Sequence, residues 1–154
     1  DLSALTEETV HTLQIAAEQK GQTLTADIAP GITLDGDSGK LMQIFYNLTD
    51  NAIKYTPENG HIAVRLAQSG ANVLFAVTDD GIGIPEEDQK HIFERFYRVD
   101  KARSRATGGT GLGLSIVRQL AAMHGGTVSV SSQPGQGATF TVTLPMDAKR
   151  GEKA

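Results

Sequence analysis

Apolar residues along this chain recur with two different periods, and the two alternate from one end to the other. Residues 3 to 20 carry Val10, Leu13 and Ala17 on one side, which predicts a helix stopped by Gly21. Thr23 to Ile28 reads as a short strand before the Pro30-Gly31 turn, and Ile32 to Leu34 as a second, minimal strand. Leu41, Ile44, Phe45, Leu48 and Ala52 share one face of a predicted helix over Leu41 to Tyr55, capped by Asp37 or Ser38 and ended before Pro57. Ile62, Val64 and Leu66 alternate as a half-buried strand does. Val73 to Thr78 is apolar on both faces, which places it centrally in a sheet. A short helix near Pro85 to Ile92, a loop, and a helix from about Leu112 to His124, ended by Gly125-Gly126, come next. Thr127 to Ser131 and Ala138 to Leu144, joined through Pro134-Gly135-Gln136-Gly137, form a final hairpin. This order predicts helices layered on a mixed sheet, in one domain over residues 1–146 with a polar tail over 147–154.

Composition narrows the picture. A chain of 154 residues, 39% apolar and 21% charged, is that of a soluble globular domain able to bury about 70% of its unfolded surface. No apolar run reaches membrane-spanning length and no signal peptide opens the sequence. The lack of cysteine excludes disulfides and thiolate metal sites. A net charge of −4 disfavours nucleic acid as a partner. The start at Asp1, without methionine, suggests either a processed chain or a piece cut from a longer one.

Three stretches carry candidate chemistry. On the central helix Asn47, Asn51 and Lys54 fall at i, i+4 and i+7, away from the apolar face and with Gln43 a turn earlier. Asparagine is about 0.6 kcal/mol worse than alanine inside a helix, so two in register followed by a cation suit a site. Their amide oxygens can coordinate a hard cation such as Mg2+, and the ammonium can meet a phosphate. The same pattern also fits an ordinary solvated face. Asp79-Asp80-Gly81-Ile82-Gly83-Ile84-Pro85 follows the central strand, where a carboxylate beside glycines suits a purine edge, although on this stretch alone a plain Asp-Gly turn is the stronger reading. Gly108-Gly109-Thr110-Gly111-Leu112-Gly113-Leu114 precedes a helix and offers backbone N–H groups to phosphate. It is neither a P-loop, because Leu114 follows Gly113 where a lysine is required, nor a Rossmann fingerprint. Between them Arg95, Arg98, Lys101, Arg103 and Arg105 make a local basic segment suited to a polyanionic ligand.

Taken together and in order, NLTDNAIKYT, DDGIGIP, IFERFYRVD and GGTGLGLSIV resemble the N, G1, F and G2 boxes of sensor histidine kinases. The resemblance covers nearly the whole chain. It implies the α+β fold of the Bergerat (GHKL) ATPases: a two-layer sandwich in which three helices cover one face of a mixed, mostly antiparallel five-stranded sheet. It implies ATP and Mg2+ as ligands, with Asn51 as the main metal ligand and Asn47 on the same side. Lys54 is expected to reach the phosphates and Tyr55 to lie against the adenine. Asp79 is expected to accept a hydrogen bond from the adenine amino group, with Gly81 and Gly83 permitting the approach and Ile84 lining the pocket. Phe93 and Phe96 would anchor a lid running from about Phe96 to Gly111, and Arg98 would touch a phosphate. Gly109, Thr110, Gly111, Leu112, Gly113 and Leu114 would wrap the triphosphate. The catalytic set implied is Asn47, Lys54 and Arg98.

The family's phosphoacceptor is a histidine followed by glutamate, whereas His11, His61, His91 and His124 are followed by Thr12, Ile62, Ile92 and Gly125. The acceptor is therefore expected on a dimerising helical hairpin before Asp1. The further partners implied are that phosphoacceptor domain, a downstream response regulator and, in the full-length protein, a second copy; the piece itself is expected to be a monomer. Its expected location is the cytoplasmic side of a membrane-anchored kinase. The alternatives are a gyrase- or Hsp90-type ATPase, which carries a glutamate base where this chain has Asn47, and a nucleotide-gated binding module without chemistry.

Overall fold

A computed structural model of the chain describes residues 1–34, 36–81, 83–84, 86–89, 91–94, 113–132 and 137–146. The elements run α1 (Leu2–Gln19), β1 (Thr23–Ile28), α2 (Ser38–Tyr55), β2 (His61–Ser69), β3 (Asn72–Asp79), α3 (Glu86–Gln89), α4 (Gly113–Met123), β4 (Thr127–Ser132) and β5 (Ala138–Pro145). The strands form one sheet in the order β1-β2-β3-β5-β4. β1 and β2 pair in parallel, and every other pairing is antiparallel. α1, α2 and α4 pack on this sheet and on each other, with α2 between the other two. The result is the expected two-layer α+β sandwich.

The core lies where the apolar face of α2 meets alternate residues of the central strands. Phe45 of α2 stacks on Phe75 of β3, ring centroids 4.0 Å apart and 13° from parallel, and both are fully buried. Val73, Phe75 and Val77 on β3 and Val142 and Leu144 on β5 complete this layer. Phe93 is buried too, edge-on to Phe140 at 6.1 Å.

Four expectations need correction. Ile32 to Leu34 is not a strand, because α1 uses its polar groups: Ile32 O accepts from Leu2 N at 2.9 Å, and Ile32 N donates to Ser3 Oγ at 3.0 Å. β3 is central, yet only one of its faces is covered; Leu74 and Ala76 are half-buried on the other. That open face is lined by short or charged side chains such as Thr25, Asp27, Ala63 and Arg65, which leave little apolar surface to bury. α3 spans Glu86–Gln89, shorter than the sequence suggests, and is followed by a turn closed by Glu94 N donating to His91 O. β4 extends one residue further than expected, to Ser132. Of the two candidate caps, Asp37 caps α2, accepting from Lys40 N at 3.0 Å; that bond above all holds its carboxyl below the usual aspartate value.

Candidate nucleotide site

The site is built from the C-terminal half of α2 and the turn after β3. Asn47, Asn51, Lys54 and Tyr55 are all half-buried, while Gln43, a turn earlier, is exposed. Lys54 Nζ lies 3.2 Å from Asp50 Oδ2, one helical turn back. Neither asparagine amide is hydrogen-bonded to another side chain among the described residues. No three His, Cys, Asp or Glu side chains converge among those residues either. A cation here would draw on the Asn51 and Asn47 amide oxygens, with water and phosphate completing its shell. That sparse, all-oxygen donor set suits Mg2+, which sheds its waters reluctantly.

The end of α2 is fixed from a distance. Thr56 leaves the helix in an extended conformation before Pro57, so no glycine caps the last carbonyls. The Lys20 ammonium takes that role, donating to Ile53 O, Lys54 O and Thr56 O at 2.9, 3.3 and 3.0 Å. Gln22 Nε2 adds bonds to Ile53 O at 3.0 Å and Thr56 O at 2.6 Å. A cation at this negative end of the helix dipole is favourable, and it holds the turn that carries Lys54 and Tyr55.

Asp79 closes β3 with its carboxylate half-buried. Gly81 N donates to Asp79 Oδ1 at 2.9 Å, and Ala138, opposite Asp79 in the ladder, turns its N–H to the same group. Burial raises its pKa above the ordinary aspartate value; these two donors oppose the rise and the charge of Asp80 adds to it. Asp80 moves the other way, chiefly because His61 N donates to its Oδ1 at 2.8 Å. Gly81 is where the turn touches α2: a Cβ there would stand 2.6 Å from Tyr55 O. Gly83 has φ +75°, which L side chains rarely adopt. The structure thus brings Tyr55 and Asp79 together across Gly81, with the buried Gly83 and half-buried Ile84 continuing the wall.

Gly113 and Leu114 open α4, which packs on α2, and Leu114 rests against the core. Phe96, Arg98, Gly109, Thr110, Gly111, Leu112, the remaining cations and the expected lid lie outside the described residues, as does the tail after Met146. Of the four histidines, His11 is exposed, His61 and His91 pair with Asp80 and Glu94, and His124 is buried. Sequence reasoning missed Lys20, Gln22, Gln89, Ser132 and the bonding of His124. None stands in a motif; each acts on a partner far along the chain.

A two-layer sandwich with a polar helix face beside a half-buried aspartate at a strand end is an arrangement suited to a nucleotide. Residues 36–148 match the profile of the histidine kinase-, DNA gyrase B-, and HSP90-like ATPases, and the chain belongs to that family. Relatives that it resembles include proteins named as sensor histidine kinases. It is 46% identical over 145 residues to the sensor-like histidine kinase SenX3 of Mycolicibacterium smegmatis, covering 94% of this chain and 38% of that protein. The catalytic domain of histidine kinase ThkA superposes with a TM-score of 0.83 at 27% identity, over 95% of each chain. Full-length ShkA, solved in complex with AMPPNP, gives a TM-score of 0.80 at 35% identity, over 94% of this chain and 30% of that one. The chain spans 35–38% of the length of the first curated relatives it matches. Among the described residues no helix is long and apolar enough to cross a membrane.

Proposed function

We propose that this domain binds Mg-ATP and presents its γ-phosphoryl group to a histidine on a separate dimerisation domain, as the kinase module of a two-component system with a response regulator downstream. The observation that carries the reading is Asp79, a half-buried carboxylate pinned by two backbone N–H groups beside the open amides of α2. One of its oxygens is suited to accept from the exocyclic amino group of adenine. The ShkA complex with the ATP analogue AMPPNP supports the same ligand class. Asn51 and Asn47 would hold Mg2+, which when bound neutralises phosphate charge and orients the chain of phosphates. Lys54 is well placed to exchange Asp50 for a phosphate oxygen, and Arg98 is assigned to another by its box.

Phosphoryl transfer needs chiefly positioning and charge neutralisation, which these residues supply. The lone acid of α2, Asp50, is engaged with Lys54, and Asn47 cannot act as a base, which favours a kinase over an ATPase. None of the four histidines stands in an acceptor motif, so the acceptor is assigned to another domain. Incubation with labelled ATP and Mg2+ should give nucleotide binding without phosphohistidine on this chain. Label should appear once a dimerisation domain of a related sensor kinase, carrying the acceptor, is added. Stoichiometric acid-labile phosphate on this chain alone would contradict the assignment, and absence of ATP binding would end it.

A further inference from the structure

We infer that Ser132 and Gln89 are positioning residues that hold the Asp79–Ile84 turn in its base-reading shape, and that adenine-over-guanine selectivity depends on them; this rests on the ATP reading above. The turn contains two glycines, Gly81 and Gly83, and left to itself would sample many conformations. It is instead tied at its far end on both sides of one residue. Ile84 N donates to Ser132 Oγ at 2.8 Å, and Ile84 O accepts from Gln89 Nε2 at 2.8 Å.

Both tethers are anchored in turn. Ser132 Oγ donates onward to Gly137 O at 2.6 Å, so one hydroxyl accepts from the turn and donates to the hairpin. The second proton of the Gln89 amide reaches Ser132 O at 2.9 Å. Ser132 pairs with Ala138 in the β4–β5 ladder, and Ala138 pairs with Asp79 in the β5–β3 ladder. The path from Asp79 through Ala138, Ser132 and Ile84 therefore returns along the turn to Asp79 as a closed ring. Gly137 tightens it: with φ +81°, its α-carbon sits so close to Asp79 O that no side chain fits between them. All of these bonds are made within the chain itself, and a turn held in this way has less ordering cost left to meet when a base binds.

A hydrogen bond that reads adenine draws on that order, whereas guanine, which would set a carbonyl oxygen against Asp79, gains no bond from it. Loosening the ring should therefore weaken ATP selectively. A general loss of folded protein would scale ATP and GTP binding alike and leave their ratio unchanged.

The test measures ATP and GTP affinities with Mg2+ for the unaltered chain and for Ser132→Ala, Ser132→Thr and Gln89→Ala, alongside hydrogen exchange at the Ile84 amide without nucleotide. Ser132→Ala should weaken ATP about tenfold and GTP less than about twofold, the loss expected for one buried hydrogen-bond pair. Exchange at Ile84 should accelerate about tenfold or more, and Ser132→Thr, which keeps the hydroxyl, should restore both. An unchanged ATP-to-GTP ratio, or unchanged exchange at Ile84, overturns the inference. Should Ser132→Ala fail to fold, Gln89→Ala decides through the same two measurements. Failure of the unaltered chain to bind ATP would instead overturn the nucleotide reading, and exchange at Ile84 would still decide whether these side chains hold the turn.

Discussion

Asp79 stands where two demands on a carboxyl group meet. Burial favours its neutral form, while the N–H groups of Gly81 and Ala138 favour the charged one, and burial is the stronger. A carboxyl whose pKa is higher in the folded than in the unfolded chain favours folding most at pH below the unfolded value, and that contribution is lost as pH rises through the folded value. At neutral pH the ionised Asp79 therefore weighs against the fold. Asp79→Asn should raise Tm at pH 7, and the difference from the unaltered chain should close as the buffer is taken down through the ordinary carboxylate range. Nucleotide selectivity provides a second readout of the same group. GTP would set a carbonyl oxygen against the carboxylate, at a cost of about 2–4 kcal/mol. ATP should accordingly bind on the order of 100-fold more tightly. In Asp79→Asn the gap should narrow, because the amide can rotate to donate to guanine, while ATP itself weakens through loss of a charge-assisted bond. Equal ATP and GTP affinities in calorimetry on the unaltered chain would remove Asp79 from base reading. At this scale the sequence named the aspartate but, on that stretch alone, favoured a plain turn, because what separates the two is burial, and burial depends on what β5 and α2 place around it.

α2 is the element in which packing and chemistry share one helix. Its apolar face was legible because Leu41, Ile44, Phe45, Leu48 and Ala52 must fall on one side at 3.6 residues per turn, and all five are buried. The opposite register then fixes Asn47, Asn51 and Lys54 as neighbours without further information. Asn51→Ala should leave the fold intact, since alanine favours the helix, yet reduce Mg2+-dependent ATP binding about tenfold or more. Titration of nucleotide at fixed Mg2+ checks this; unchanged affinity would deny Asn51 a metal role. The C-terminal end of α2 was not legible, since Lys20 reaches it from 33 to 36 positions away. Lys20→Met should lower the unfolding free energy by about 1–2 kcal/mol through lost bonds to three carbonyls and lost interaction with the helix dipole. A lower urea midpoint with an unchanged m-value would confirm this, and an unchanged midpoint would refute it.

Across the whole molecule, one buried side chain joins helices that are distant in sequence. His124, at the end of α4, approaches Leu120 O with Nδ1 at 2.9 Å and accepts from Asp37 N with Nε2 at 3.1 Å, tying α4 to the first turn of α2. The geometry fixes the proton on Nδ1. Sequence reasoning expected His124 at the helix terminus and found no partner for it, since Asp37 lies 87 positions away. His124→Leu should leave an N–H and a carbonyl unpaired and cost about 2–4 kcal/mol, seen as an earlier but still cooperative urea transition. An unchanged midpoint would refute that role. By itself the sequence determined the long helices and the five strands of the sheet, that β3 is central, and which side chains share the polar face of α2, because the 3.6- and 2-residue periods fix the neighbours within an element. It could not determine that Ile32 would serve α1 rather than a strand, that one sheet face would stay open, or that Lys20, Gln89, Ser132 and His124 would brace the site. Those outcomes depend on which backbone donors and acceptors remain unpaired once the elements pack, and only the tertiary structure decides that.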